Sequence, residues 1–361
     1  MLDQPGVIAA RRTPNRRQAG SMLLGALAAG MARTAVAQPL VEDVRIADFD
    51  WIDDARRRRV PARLYWPNTS SLRNPVPLVV FSHGLGQSRT GYSYLGRHWS
   101  SRGVASLHLQ HVGSDSSVWA GNPLALLDRI EMAAQEHEAL ARAQDLRFAL
   151  DRFFIQDGGA FGDRIDRRRI VAAGHSYGAN TTLIAAGAQV IRDGRPLQGR
   201  DPRIMAGIVI SAPPFYGERD LRAVLRAVMI PTLHVTATED VIQLPGRTSP
   251  VADRLAVYEA IATSRKTLAV FQGGSHSIFT DRPLTGGLNL NPQVKEATAA
   301  GALAFLDLAF GDDPEPLRAW SAAWKTILAV APEGFAISPR SQPSASPREK
   351  NRRLGRLRQP I

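Results

Sequence analysis

The chain has 361 residues, 44% hydrophobic and 22% charged, which is ordinary for a globular protein and long enough for one large α/β domain or two small ones. Its formal charge of +12 sits mostly at the ends: residues 1–40 hold five arginines against one aspartate, and residues 338–361 hold six arginines and a lysine against one glutamate, leaving about +2 for residues 41–337. A near-neutral middle argues against a nucleic-acid-binding core, and the lack of cysteine excludes disulfides, thiolate metal sites and a cysteine nucleophile.

Arg16-Arg17 precede an apolar run over 22–31, and Ala35-Val36-Ala37 offers an A-x-A cleavage site. Residues 1–37 therefore read as an export signal, with a periplasmic or secreted product, and the residues leave twin-arginine and Sec routes open. The run is too short to span a bilayer, so no stable membrane span is expected. Residues 41–51 and 57–66 alternate as two strands, with Asp53-Asp54 at the turn. Leu78-Val79-Val80-Phe81 is a continuous apolar run, as in a strand buried on both faces. It leads into Ser82-His83-Gly84-Leu85-Gly86, then a helix over 92–101, a strand over 104–109 and a polar loop over 111–122.

The longest helical stretch spans 124–154, where Leu140, Ala143, Leu146, Phe148 and Leu150 interleave with Glu138, Arg142, Asp145, Arg147 and Asp151. A strand over 167–173 and a helix over 179–190 follow. Strands over 207–211, 232–236 and 267–271 then alternate with helices over 219–228, 251–262 and 292–308. Such alternation predicts an α/β fold, a mostly parallel central sheet with helices on both faces, over residues 38–310. Residues 311–337 read as an extension with a short helix over 317–330, and the Pro-, Ser- and Arg-rich stretch 338–361 as a disordered basic tail.

Between the strand at 167–173 and its helix stands Gly174-His175-Ser176-Tyr177-Gly178, the form of a nucleophile elbow. A serine hydroxyl needs a base within hydrogen-bond reach, and the base needs an orienting acid. The chain supplies both after later strands, in the order Ser, acid, His. Glu239-Asp240 follow the strand at 232–236, and His276 stands in Gly273-Gly274-Ser275-His276-Ser277 after the strand at 267–271. Adjacent strand residues point to opposite faces, so one of Glu239 and Asp240 is expected to face inward, and Asp240 is the assignment adopted. An oxyanion hole takes two backbone N–H donors, here assigned to Leu85 and Tyr177. Trp119, Phe215 and Tyr216 lie on strand-following loops and are candidate pocket residues, though ordinary packing accounts for them equally well. His108 and His111 have no evident third ligand, and neither a P-loop nor G-x-G-x-x-G is present, so no metal and no nucleotide cofactor is expected. His83 is expected to bond backbone within its loop, and His175 to pack at the elbow.

These motifs together resemble the α/β-hydrolase superfamily. Val80 to Gly86, followed by Arg89-Thr90 and Tyr92-Ser93, is similar to plasma-type platelet-activating-factor acetylhydrolases, and the chain also resembles dienelactone-hydrolase-like bacterial proteins. Gly273 to Ser277 resembles the histidine motif of bacterial polyester hydrolases and cutinase-like enzymes. Two departures stand out. The plasma-type enzymes carry their acid after the strand that follows the elbow, where this chain has Ser211-Ala212-Pro213. Dienelactone hydrolases proper use a cysteine nucleophile, which is absent here.

The expectation is an exported serine esterase acting through Ser176, His276 and Asp240 on a small-molecule or polymeric ester with short or accessible acyl groups. A peptidase or amidase on the same triad is the alternative, and a non-catalytic binding protein on the same fold a more distant one. Oligomeric state is not legible in the sequence.

Overall fold

Residues 44–68, 75–155, 159–192, 195–196, 199–244 and 247–335 are described by the computed structural model; the expected export signal and basic tail lie outside them. The alternating segment near residue 45 folds as an antiparallel pair, β1 (Arg45–Asp53) and β2 (Arg58–Trp66). The apolar run becomes β3 (Val76–Ser82), followed by α1 (Ser93–Ser101) and β4 (Ala105–Leu109). Next come α2 (Leu126–Ala133), α3 (Glu136–Ile155), α4 (Gly159–Gly162), β5 (Ile165–His175) and α5 (Tyr177–Ala186). A two-residue hairpin, β6 (Ile191–Arg192) with β7 (Arg195–Pro196), precedes β8 (Ala206–Ile210), α6 (Leu221–Leu225) and β9 (Thr232–Glu239). A second hairpin, β10 (Ile242–Leu244) with β11 (Arg247–Ser249), leads to α7 (Val251–Ala260) and β12 (Lys266–Ser275). The described chain closes with α8 (Gly287–Gly311), α9 (Glu315–Ala323) and β13 (Leu328–Val330).

Among the described residues the main sheet runs β1-β2-β4-β3-β5-β8-β9-β12-β13. Its middle, from β4 to β12, is parallel, while β1, β2 and β13 add antiparallel edges. Period two divides the parallel strands between two apolar cores. Val79, Phe81, Val171 and Ala173 face α1, α8 and α9, whereas Leu78, Val80, Ile170 and Ala172 face α3. Both faces are covered, which is why these strands read as unbroken apolar runs.

The structure departs from the predicted elements in several places. The single helix expected over 124–154 is two, α2 and α3, parted at Ala134 and Gln135. On α3 the charged residues Glu138, Arg142 and Asp145 are buried rather than solvated, because they form a polar network under β2 and the loop after β3. The helix expected over 317–330 ends at Ala323, and Leu328–Val330 instead pairs with β12, covering what would be an open sheet edge. The sequence pattern shows neither short antiparallel pair; β10 borders the cleft above Ser176.

Candidate active site

Parallel strands that share a direction end on one side of the sheet, and the chemistry-bearing loops gather there. At the end of β5 the chain turns sharply into α5, with Ser176 at the turn and φ 57°. A non-glycine residue in that region is strained and persists only where the surroundings impose it. They do so here: Ser176 N–H donates to Ile210 O at 2.9 Å, and Gly174 and Gly178 allow backbone to meet backbone on either side.

His276 arrives from β12 through a bulge. The pairing of β12 with β9 shifts register between Phe271 and Ser275, where Gly273 (φ 72°) and Gly274 (φ 86°) occupy the left-handed region. The ring then stands with Nε2 2.9 Å from Ser176 Oγ and Nδ1 2.8 Å from Asp240 Oδ1. Asp240, just past the end of β9, is fully buried, whereas its neighbour Glu239 is exposed. The structure thus brings Ser176, His276 and Asp240 into one hydrogen-bonded line.

Three further groups hold Asp240, and sequence reasoning missed all of them. Ser211 Oγ donates to Oδ2 and also lies 2.8 Å from His276 Nδ1; Thr236 Oγ1 donates to Oδ2 at 2.7 Å. Arg254, buried on α7, brings Nε to 3.7 Å from Oδ1. Burial alone would raise the Asp240 carboxyl. The hydrogen bonds from His276 and Ser211, with the Arg254 charge, outweigh it and hold the group well below the usual carboxylate range. The signal for Ser211 in the sequence is its place at the end of β8, the strand that pairs with β5 beside the elbow.

Opposite the histidine lies the loop after β3. Among the described residues no hydrogen bond takes up the Leu85 N–H or the Tyr177 N–H. Tyr177 is the first residue of α5, where helix N–H groups have no partner inside the helix. The loop is tied down on several sides. Gly84 N–H donates to Tyr92 Oη at 3.2 Å, Tyr92 Oη lies 2.9 Å from His175 Nδ1, and His175 Nε2 lies 3.1 Å from His276 O. That series links the loop after β3 to the loop carrying His276 through the elbow. His83 Nε2 accepts the His111 N–H at 3.0 Å, which leaves Nδ1–H to donate to Gly84 O at 2.7 Å. Burial, with the neighbouring Arg142 charge, pushes His83 well below the usual histidine range; His175 is shifted the same way by burial and by His276.

A cleft of about 980 Å³ opens above Ser176, at the upper end of the size of ligand sites. Leu85, Trp119, Tyr177, Phe215 and Tyr216 all line it; Trp119 and Tyr216 are exposed and Phe215 is buried. Trp119 also donates Nε1–H to Gly86 O at 2.7 Å, so it packs the loop after β3 as well as bordering the cleft. His108 and His111 do not meet. His108 bonds Ser106 Oγ at 2.9 Å, while His111 lies between Asp145 and Ser82, each at 3.0 Å. No group of three or more metal-ligating side chains occurs among the described residues, and none of the described helices is long and apolar enough to cross a membrane.

The family model for platelet-activating factor acetylhydrolase, isoform II, matches residues 58–144, a segment that includes the loop after β3 and stops before the elbow. Platelet-activating factor acetylhydrolase of Canis lupus familiaris is 27% identical over 177 residues, 41% of this chain. The chain covers only 37% of that relative's length. The structure of ferulic acid esterase from Streptomyces cinnamoneus superposes with a TM-score of 0.55 at 22% identity, covering 78% of this chain and 94% of that one. Together with the sheet order, that likeness shows the α/β-hydrolase fold.

Proposed function

We propose that this α/β-hydrolase-fold chain is a serine esterase that cleaves carboxylic esters through an acyl-enzyme. The observation that carries the reading is the hydrogen-bonded line from Ser176 Oγ through His276 to Asp240 at the floor of a cleft. Ser176 Oγ attacks the ester carbonyl carbon while His276 Nε2 takes its proton. The negative oxygen of the tetrahedral intermediate is held by the N–H groups of Leu85 and Tyr177. Collapse expels the alcohol, which receives the proton from His276. Water then attacks the acyl-enzyme with His276 again as base, and the carboxylic acid leaves with Ser176 restored. Asp240 holds the histidine tautomer and offsets the imidazolium charge.

The exposed aromatic border of the cleft and the lack of an inserted lid domain among the described residues favour accessible acyl groups, on small molecules or on a polymer. An acetyl ester, after the name of the dog relative, and a feruloyl ester, after that of the Streptomyces enzyme, are the first substrates to try. Residues 38–310 are proposed as the catalytic domain, to whose core and sheet edge α9 and β13 add, and residues 1–37 as the export signal of a periplasmic or secreted product.

The test is a fluorophosphonate probe with a panel of p-nitrophenyl esters of graded chain length, acetyl and feruloyl esters, and matched p-nitroanilides. Labelling at Ser176, with turnover of esters over anilides, is expected. Ser176→Ala should lower kcat on the order of 10⁶-fold, as in the subtilisin series. An unlabelled, inert wild type would reject the reading, and anilide turnover equal to ester turnover would replace it with an amidase. Export is checked by sequencing the N-terminus of the product recovered from the periplasm of a bacterial host. A chain beginning after Ala37 is expected, and an uncleaved cytoplasmic product argues against it.

A further inference from the structure

Helix α3 carries a charged stripe that the proposed triad does not use. Glu138, Arg142 and Asp145 are all buried. The two carboxylates are held by Arg58 of β2, with Nη2 2.9 Å from Glu138 Oε1 and Nε 2.8 Å from Asp145 Oδ1. Arg142 is held differently. Its Nε donates to Thr181 Oγ1 at 2.9 Å, Nη1 to Ser114 Oγ at 2.8 Å, and Nη2 to His83 O. Its guanidinium carbon lies 4.5 Å from the centroid of the Tyr177 ring. All three acceptors are neutral. Burial pulls the group down to about 10, so it remains protonated at neutral pH. A buried cation is expensive, and an apolar side chain of similar size would often serve stability as well.

The contacts supply a reason for it. His83 opens the loop that carries the Leu85 N–H, and Tyr177 carries the second N–H. Thr181, one turn further along α5, accepts from Arg142 and donates its own hydroxyl to Tyr177 O at 3.2 Å. On the other side, His83 Nδ1–H donates to Gly84 O, the carbonyl of the peptide whose N–H belongs to Leu85. Loading that carbonyl polarises the Leu85 N–H. One side chain therefore touches both arms of the oxyanion hole from below.

We propose that Arg142 is a positioning residue for the oxyanion hole, joining the His83–Leu85 loop to Tyr177 so that both N–H groups converge on the reacting oxygen. The proposal rests on the serine-esterase reading above.

The test compares wild type with Arg142→Lys and Arg142→Met, with active sites counted by fluorophosphonate titration. Lysine keeps the charge but not the planar fork that reaches three acceptors. Turnover per titrated site should fall about 100-fold, the size of losing one oxyanion donor, with KM within about threefold. Affinity for a trifluoromethyl ketone, whose serine adduct bears the oxyanion, should fall in parallel with kcat/KM. A merely structural role would lower the melting temperature and the number of titratable sites, leaving turnover per site and ketone affinity unchanged, and would overturn the proposal. If neither variant folds, Ser114→Ala combined with Thr181→Val removes two anchors with the cation in place, and wild-type turnover per site there overturns it equally. An inert wild type sinks both readings, whereas an active wild type with unaffected Arg142 variants sinks this one alone.

Discussion

Gly178 and Ser82 meet so closely that a Cβ on Gly178 would stand 1.9 Å from the Ser82 carbonyl oxygen. Gly174 is as confined, with a Cβ position 2.2 Å from Gly178 O. Backbone contact thus docks the first turn of α5 on the end of β3, the two places from which Tyr177 and Leu85 present their N–H groups. Gly178→Ala cannot be absorbed by a side-chain movement, because the opposing atoms are backbone. We expect it to lower unfolding free energy in urea by about 1–3 kcal/mol or more, and to lower turnover as the strand and helix part. An alanine variant with wild-type midpoint and turnover would mean that the contact yields easily.

Burial separates the two neighbouring carboxylates. Asp240 faces His276 and is fully buried, while Glu239 is exposed. Asp240→Asn should reduce kcat about 10⁴-fold by presenting the wrong tautomer of His276, with little change in fold. Glu239→Gln should stay within about twofold of wild type. Steady-state kinetics on one p-nitrophenyl ester decides the matter, and the reverse order of losses would reassign the acid.

Ser211 pairs a strained backbone with a bridging hydroxyl, and the two are separable by substitution. Its φ of 56° suits glycine, while its hydroxyl bridges Asp240 and His276. Ser211→Ala and Ser211→Gly both remove the hydroxyl, and each should lower kcat about tenfold, the size of a hydrogen bond to a charged group. Only glycine relieves the backbone, so its melting temperature should exceed that of the alanine variant. Equal melting temperatures with undiminished turnover would leave the hydroxyl without a role.

Five buried histidines make the fold sensitive to acid. His83, His111 and His175 are pushed well below the usual histidine value and His108 and His234 to about 3, each chiefly by burial. In the unfolded chain these rings titrate near ~6.5, so below that pH the unfolded state binds protons that the folded state refuses. Their contribution is complete above about pH 6.5 and is lost as pH falls. Each proton adds up to ~1.4 kcal/mol per pH unit to the slope. Asp240 acts with the same sign below about pH 4, because its folded value is also depressed. Urea midpoints between pH 7.5 and 4.5 should drop steeply, with four to five protons (about one per ring) taken up on unfolding near pH 5. Uptake of fewer than about two would contradict the neutral, buried assignment.

Much of this architecture is legible in the chain as written. Apolar runs alternating with amphipathic ones imply a parallel sheet with both faces covered, and parallel strands deliver their following loops to one edge. The serine, the acidic pair and the late histidine therefore fall on that edge by strand order alone. Glycines at 174 and 178 announce the elbow because only their lack of a side chain permits the close approach. Tertiary structure decided what local pattern could not. Whether Glu239 or Asp240 turns inward depends on how β9 ends against β8 and α7, where Ser211, Thr236 and Arg254 converge from segments distant in sequence. The stripe Glu138, Arg142 and Asp145 looks solvated by composition, since helical period cannot tell a polar face turned to water from one turned to buried partners. Only the packing of α3 against β2, the loop after β3 and α5 supplies Arg58, His83 and Thr181 as those partners.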